Sequence, residues 1–367
     1  MKSESLVNMN KVTNNSIITI GNGTPWQQQY DINIEQKGAI SGWTINSYLP
    51  EALLWASIIV TKNKVHLLGG TKNYSSNGIN FKGYTSSLND DGSLGIWTKG
   101  PELPFPLDHS KPIVYKNKVY LLGGYSYNNN IHYICDNGYL FAIFAASIDK
   151  DGMLGNWEIV GFLPEPMQDI EAIIVKDKLY ILGGYSRKLK NFFTYIGSID
   201  NNGKIYSWIK GPTLSNITKC NQIVVIKNRI YLLGGWHSYE SEWSSIIYTT
   251  TINDDGTLNS WIESGTLPVA LTDSQTIVTR NNVYLLGGNT EDGPISTIYV
   301  APIDHDGKIG KWSKKGSLSM PLFLSKAIIT KNKIHLLGGR NTHFENTSDI
   351  YTASISGGLN DYSPYYS

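Results

Sequence analysis

Residues 272–312 read TDSQTIVTRNNVYLLGGNTEDGPISTIYVAPIDHDGKIGKW. Four short extended runs fit this stretch. Ser274–Thr279 makes the first, and Arg280–Asn282 a tight turn after it. Val283–Leu286 makes the second run, closed by Gly287–Gly288, which tolerate positive φ. A loop leads to Thr297–Ile303, a β-branched third run. Asp304-His305-Asp306-Gly307 turns the chain into a fourth, Lys308–Trp312. Strands of four to seven residues separated by turn signals make an all-β unit.

The same unit recurs along the chain. Leu/Ile-Leu-Gly-Gly closes an apolar run at Gly69–Gly70, Gly123–Gly124, Gly183–Gly184, Gly234–Gly235, Gly287–Gly288 and Gly338–Gly339. Trp43, Trp97, Trp157, Trp208, Trp261 and Trp312 each precede the next such Leu/Ile-Leu by 24 residues, without variation. From the second Gly to the next Trp the distance ranges from 24 to 33 residues, so this half carries loops that accept insertions. Four strands repeated about every fifty residues predict the blades of a β-propeller.

These residues resemble the kelch repeat: an apolar first strand, a second ending in Gly-Gly, a Tyr in or near the third, and a Trp in the fourth. The resemblance covers nearly the whole chain and implies one propeller domain over 1–367. One departure is systematic. The turn before the Trp reads DDGSLGIW at 90–97 and DDGTLNSW at 254–261, and Leu-Pro follows at Leu103–Pro104, Leu163–Pro164 and Leu267–Pro268. This variant is similar to repeats of phage tail and bacterial surface proteins. Seven blades are expected, at about 1–43, 55–97, 108–157, 169–208, 220–261, 273–312 and 324–362. The first is degenerate, because Asn10–Gly23 aligns with Gln222–Gly235 with offset glycines. In the last, Leu359 and Tyr362 take the places of Ile309 and Trp312. The alternative is six blades, with N-terminal strands completing the last.

Composition narrows the function. Thirty-one basic residues balance thirty acidic ones, so the counterion-releasing surplus of a nucleic-acid binder is missing. No apolar run approaches the roughly 18 residues of a membrane span, so no membrane insertion is expected. Met1–Asn15 lacks the apolar core of a signal peptide, which favours a virion or the cytoplasm over classical secretion. Cys135 and Cys220 allow one bridge at most, and two reduced thiols are the expectation.

In a blade with strands a to d, the b–c loops and the d–a links emerge on one face. The variable loops therefore share a face, which is the expected binding surface. Three neighbouring loops carry Tyr125, Tyr127, His132, Tyr133 and Tyr139; then Arg187, Lys188, Lys190, Phe192 and Phe193; then Trp236, His237, Tyr239 and Trp243. Such aromatics stack on sugar rings or anchor a protein interface; they also pack long loops onto a blade. The channel mouth is a second candidate. Twelve residues after each Trp come Trp55, His109, Asp169, Cys220, Asp273 and Leu324. Fourteen after come Ser57, Lys111, Glu171, Gln222, Gln275 and Lys326. Polar groups there either meet a ligand or bridge neighbouring blades.

Motifs for chemistry are weak. Asp149–Gly152, Asp200–Gly203 and Asp304–Gly307 open like calcium loops but lack the later carboxylate, so hairpin turns are expected and no metal. The seven histidines show no zinc spacing, and His66 and His335 occupy the place of Tyr120, Tyr180, Tyr231 and Tyr284, which reads as structural. Neither a nucleophile elbow nor a P-loop is present, and no cofactor is expected. Among kelch relatives that are enzymes, copper oxidases of the galactose-oxidase kind need a Cys–Tyr link that nothing here supplies. Sialic-acid mutarotases use charged residues and a His around the channel, which Glu171, His109 and Lys111 imitate. The expectation is a non-catalytic recognition or assembly propeller, part of a phage tail or bacterial surface, binding proteins or a cell-surface glycan. A mutarotase-like enzyme is the alternative.

Overall fold

The computed structural model describes residues 18–20, 24–27, 40–72, 79–127, 135–186, 193–214, 218–219, 221–237, 242–331 and 333–354, and among them the regular elements are all strands. Six four-stranded antiparallel blades form the propeller. Blade one is Ser57–Thr61, Lys64–Leu68, Gly83–Ser87 and Thr98–Lys99. Blade two is Lys111–Tyr115, Lys118–Leu122, Ala142–Ile148 and Leu154–Phe162. Blade three is Glu171–Val175, Lys178–Leu182, Thr194–Ile199 and Ile205–Lys210. Blade four is Gln222–Ile226, Arg229–His237, Glu242–Thr251 and Ile262–Thr266, with Thr218–Lys219 added beside its second strand. Blade five is Gln275–Val278, Asn282–Leu286, Thr297–Pro302 and Ser313–Ser317.

Blade six corrects the expected count of seven. Lys326–Thr330, Lys333–Leu337 and Asp349–Ser354 supply three strands, and Ser41–Tyr48 supplies the fourth. Ser41 pairs with Ser354, Thr44 with Thr352 and Tyr48 with Asp349. Trp43 therefore belongs to the closing blade instead of ending a first one. Among the described residues, Ile18–Ile20 and Thr24–Gln27 pair with each other and extend none of the blade sheets. Leu359 and Tyr362 lie outside the described residues. The strand from the other end of the chain covers the outer edge of Asp349–Ser354, which would otherwise be left open.

The fourth strand also departs from expectation. In blade five it starts after Trp312. Ile309 makes a single bridge to Ile303, and the regular ladder resumes only at Ser313–Ser317, which pairs with Thr297–Val300. Blades one and four do the same, through Leu94 with Leu88 and Leu258 with Ile252. The tryptophan itself stands outside the ladder. Trp312 is buried in a core shared with Ile247 and Tyr248 of blade four.

Two features of the repeat act across seams. At the diglycine, Gly123 and Gly124 have φ of 58° and 110°, and the N–H of Gly124 donates at 2.9 Å to Met167 O, in the link that leads into blade three. A Cβ on Gly123 would lie 2.4 Å from that carbonyl, so glycine is required for both backbone conformation and space. At the c–d turn, Asp304 Oδ1 accepts from the N–H groups of Asp306 and Lys308 at 2.8 Å each, and Asp149 and Asp200 do the same in their turns. The carboxylates cap backbone amides, as a hairpin requires. The turn glycine then presents its carbonyl to the blade behind. Tyr120 donates to Gly203 O at 3.1 Å, Tyr180 to Gly256 O at 2.9 Å, and Tyr231 to Gly307 O at 2.8 Å. His66 meets Gly152 O, and His335 meets Gly92 O, both through Nε2 at 2.9 Å.

Candidate functional site

The channel mouth is built where each innermost strand begins. Trp55, His109, Asp169, Asp273 and Leu324 are all left-handed, with φ between 52° and 56°. The N–H of His109 donates to Trp55 O at 3.2 Å, that of Asp169 to His109 O at 3.3 Å, and that of Leu324 to Asp273 O at 3.2 Å. The entry residue of one blade thus binds the entry residue of the blade before it. This arrangement holds non-glycine residues at positive φ, at a cost of order 1 kcal/mol each. Cys220 lies outside the described residues.

Side chains at the entries converge. Trp55 stacks on His109, ring centres 4.1 Å apart. His109 Nδ1 lies 2.7 Å from Asp108 Oδ1, and its Nε2 lies 3.9 Å from Asp169 Oδ1. Burial works against a charged imidazole here, but Asp169 and then Asp108 outweigh it, so the His109 pKa is raised. Burial raises Asp108 in turn.

Two residues further in, neighbouring blades are bridged. Lys111 Nζ and Glu171 Oε2 form a 2.7 Å ion pair with side chains only 2% and 3% exposed. Ser57 Oγ meets Ser110 Oγ at 2.9 Å, Thr276 donates to Gln222 Oε1 at 3.4 Å, and the N–H of Ala327 donates to Gln275 Oε1 at 3.0 Å. Burial and the charge of Lys111 lower the Lys326 pKa to about 8. Glu171 Oε1 is buried without a hydrogen-bond partner.

Loop bases flank this mouth. Asp108 bridges Tyr125, Gln168 bridges Tyr185, and Lys219 pairs with Trp236. The residue after each diglycine is thereby fixed beside an entry residue. Tyr125 packs edge-on against Tyr127 and Tyr139 at 4.8 and 5.2 Å, and Tyr139 meets Tyr185 at 5.8 Å. Tyr127 remains 43% exposed and Tyr185 38%. Trp236 and Trp243 are cross-strand partners with rings 5.2 Å apart.

The two candidate regions of the sequence therefore share one face, over blades two to four. His109, Lys111, Asp169, Glu171, Asp273 and Lys326 all stand at the mouth; Tyr125, Tyr127, Trp236 and Trp243 rise beside it. His132, Tyr133, Arg187, Lys188, Lys190, Phe192 and Tyr239 lie outside the described residues, and His237 is described only as a strand residue paired with Glu242 and Thr218. Sequence reading missed Asp108 and Tyr185. Both were findable by position: Asp108 directly precedes the entry residue His109, and Tyr185 follows its diglycine as Tyr125 does. Among the described residues, no three His, Cys, Asp or Glu side chains gather as a metal site.

No family model matches the chain. It is 22% identical over 303 residues to Kelch-like protein terF of Aspergillus terreus, covering 80% of this chain and 63% of that protein. Kelch repeat protein M-T8 of Myxoma virus is 26% identical over 204 residues, covering 55% of this chain and 36% of that protein. Mouse Kelch-like protein 35 is 20% identical over 225 residues, 50% of this chain and 37% of its own. The matched stretches thus span less than two thirds of each relative. Among solved structures, that of YjhT matches with a TM-score of 0.63 at 13% identity, over 85% of this chain and 98% of the other, a likeness of fold. Diglycine, turn and tryptophan recur in the geometry as well as the spacing, and with these relatives they make the chain a kelch-repeat β-propeller protein.

Proposed function

We propose that the chain is a recognition or assembly propeller that binds a protein or a cell-surface glycan through the b–c loop face over blades two to four. The observation that carries this reading is the tyrosine array of Tyr125, Tyr127, Tyr139 and Tyr185. Its rings brace one another, edge to face around Tyr125 and tilted between Tyr139 and Tyr185, and it is part exposed and fixed to the rim of the mouth. Rigid aromatic area with a polar tip binds proteins and sugars at low entropic cost. Relatives named as kelch proteins support a binding role. The repeat variant, with its Asp-Asp-Gly turns, supports a setting in a phage tail or on a bacterial surface. The test is binding of the purified chain to a glycan array, to intact bacterial cells and to their surface protein extract. Tyr127→Ala/Tyr185→Ala and Trp236→Ala/Trp243→Ala variants are run beside it. At least a tenfold loss in folded variants is expected; binding by the wild type that both variants retain overturns the assigned face.

A second reading, a sialic-acid mutarotase-like enzyme, draws on the mouth. Buried Glu171 keeps one carboxylate oxygen unpartnered, and His109 lies between two acids. It requires anomer exchange of sialic acid, followed by NMR, that fails in Glu171→Gln. The bridging of neighbouring blades by Ser57, Lys111, Gln222 and Gln275 favours the first reading, because it gives most of these groups a structural task.

A further inference from the structure

Three described seams are latched by tyrosine: Tyr120, Tyr180 and Tyr231 close blades two to three, three to four, and four to five. The two seams that flank blade one use histidine instead. His66 of blade one reaches Gly152 of blade two, and His335 of blade six reaches Gly92 of blade one. Tyr284 of blade five faces a blade whose fourth strand comes from the other chain end, so no c–d turn exists there to receive it.

Each histidine is fully committed as a neutral ring. Nε2 faces a carbonyl, so it carries the hydrogen, and Nδ1 must then accept. The hydroxyls of Thr85 and Thr352 stand 2.9 Å from the Nδ1 atoms of His66 and His335. Thr61 and Thr330 add their hydroxyls to the same carbonyls. Both rings are almost wholly out of solvent. The charged groups facing His66 are Lys64 on its own strand and Asp149 in the turn of blade two; those facing His335 are Lys333 and Asp91 in the turn of blade one. In each case one cation offsets one carboxylate, and neither acid touches the ring. A proton on Nδ1 would therefore create a buried cation, with its new N–H aimed at a hydroxyl oxygen whose own hydrogen now points the wrong way. Tyrosine has no such state in acid.

We propose that blade one is an acid-labile segment of the propeller, released at both of its seams by protonation of His66 and His335 while the tyrosine seams hold. Burial supports this by lowering both histidines to about 4. The sign follows: the unfolded or opened ring takes its proton near 6.5, so the latch is at full strength above that value and is lost as pH falls from there toward the folded value. Opening of each seam should become favoured on the order of tenfold to a hundredfold between pH 7 and pH 4.5.

The test is hydrogen exchange on the full chain at pH 7 and pH 4.5, corrected for intrinsic rates. Protection should fall in Ser57–Leu68, Lys333–Leu337 and the turns at Gly92 and Gly152, by the factor above, and hold at the turns of Gly203, Gly256 and Gly307. His66→Tyr/His335→Tyr, which installs the residue of the other blades, should abolish the difference. A loss spread evenly around the ring, or an acid response unchanged in the double variant, overturns the proposal. The wild type provides an independent check by NMR: imidazoles still neutral below pH 5 support it, and titration of both near 6.5 overturns it, whether or not the variant folds.

Discussion

At Gly123 the backbone needs φ of 58° and the carbonyl of Met167, in the link that leads into blade three, fills the place of a Cβ. Gly123→Ala should cost roughly 2 kcal/mol or more, since left-handed strain and displacement of a seam hydrogen bond act together; urea unfolding followed by fluorescence measures it. Lys111 and Glu171 pose a different problem. Neither can reach water, so removing one leaves the other charged and buried. Lys111→Met should cost about 3–5 kcal/mol, and Lys111→Met/Glu171→Met much less than the sum of the two single changes. Equal additive losses would show that the pair is not coupled.

Strands are where the repeat both guides and misleads. Inner strands read clearly from sequence because all of Lys111–Tyr115 and Gln222–Ile226 is buried. The outer strand of blade five lies later than Lys308–Trp312, at Ser313–Ser317, because alternation alone does not show that Ile309 makes only a single bridge before the ladder resumes beyond the Trp. The closing strand carries its own prediction. A chain shortened to begin at Leu49 loses Ser41–Tyr48 and leaves Asp349–Ser354 as an open edge. Its thermal transition should fall by more than about 10 °C and broaden, in calorimetry against the full chain.

Around the whole ring, pH acts in two directions. His66 and His335 lose their contribution below about 6.5, as worked out above. His109 is the reverse case: its folded pKa is raised, so its contribution is complete below 6.5 and is lost as pH rises through the folded value. Melting temperature should therefore decline on both sides of neutrality. His109→Asn should flatten the alkaline limb alone, and His66→Tyr/His335→Tyr the acid limb alone, in melts from pH 4 to 9. A single common response to all three substitutions would contradict this assignment.

Much of the molecule was legible in its residues. Six equal Trp-to-diglycine spacings establish the blades, because each diglycine and Trp has a fixed task at a seam. The channel-mouth positions were legible for the same reason, since the same number of residues carries each blade into the next. Blade number was not legible. Whether Trp43 ends a first blade or closes the last depends on which strand it pairs with, and that is a contact between residues some three hundred positions apart in the chain. Nor could the sequence show that aromatic loops and charged mouth share one rim, or that Tyr125, Tyr139 and Tyr185 meet across two blades. Local pattern determines strand and turn; only closure of the ring decides which strands become neighbours and which side chains converge on its axis.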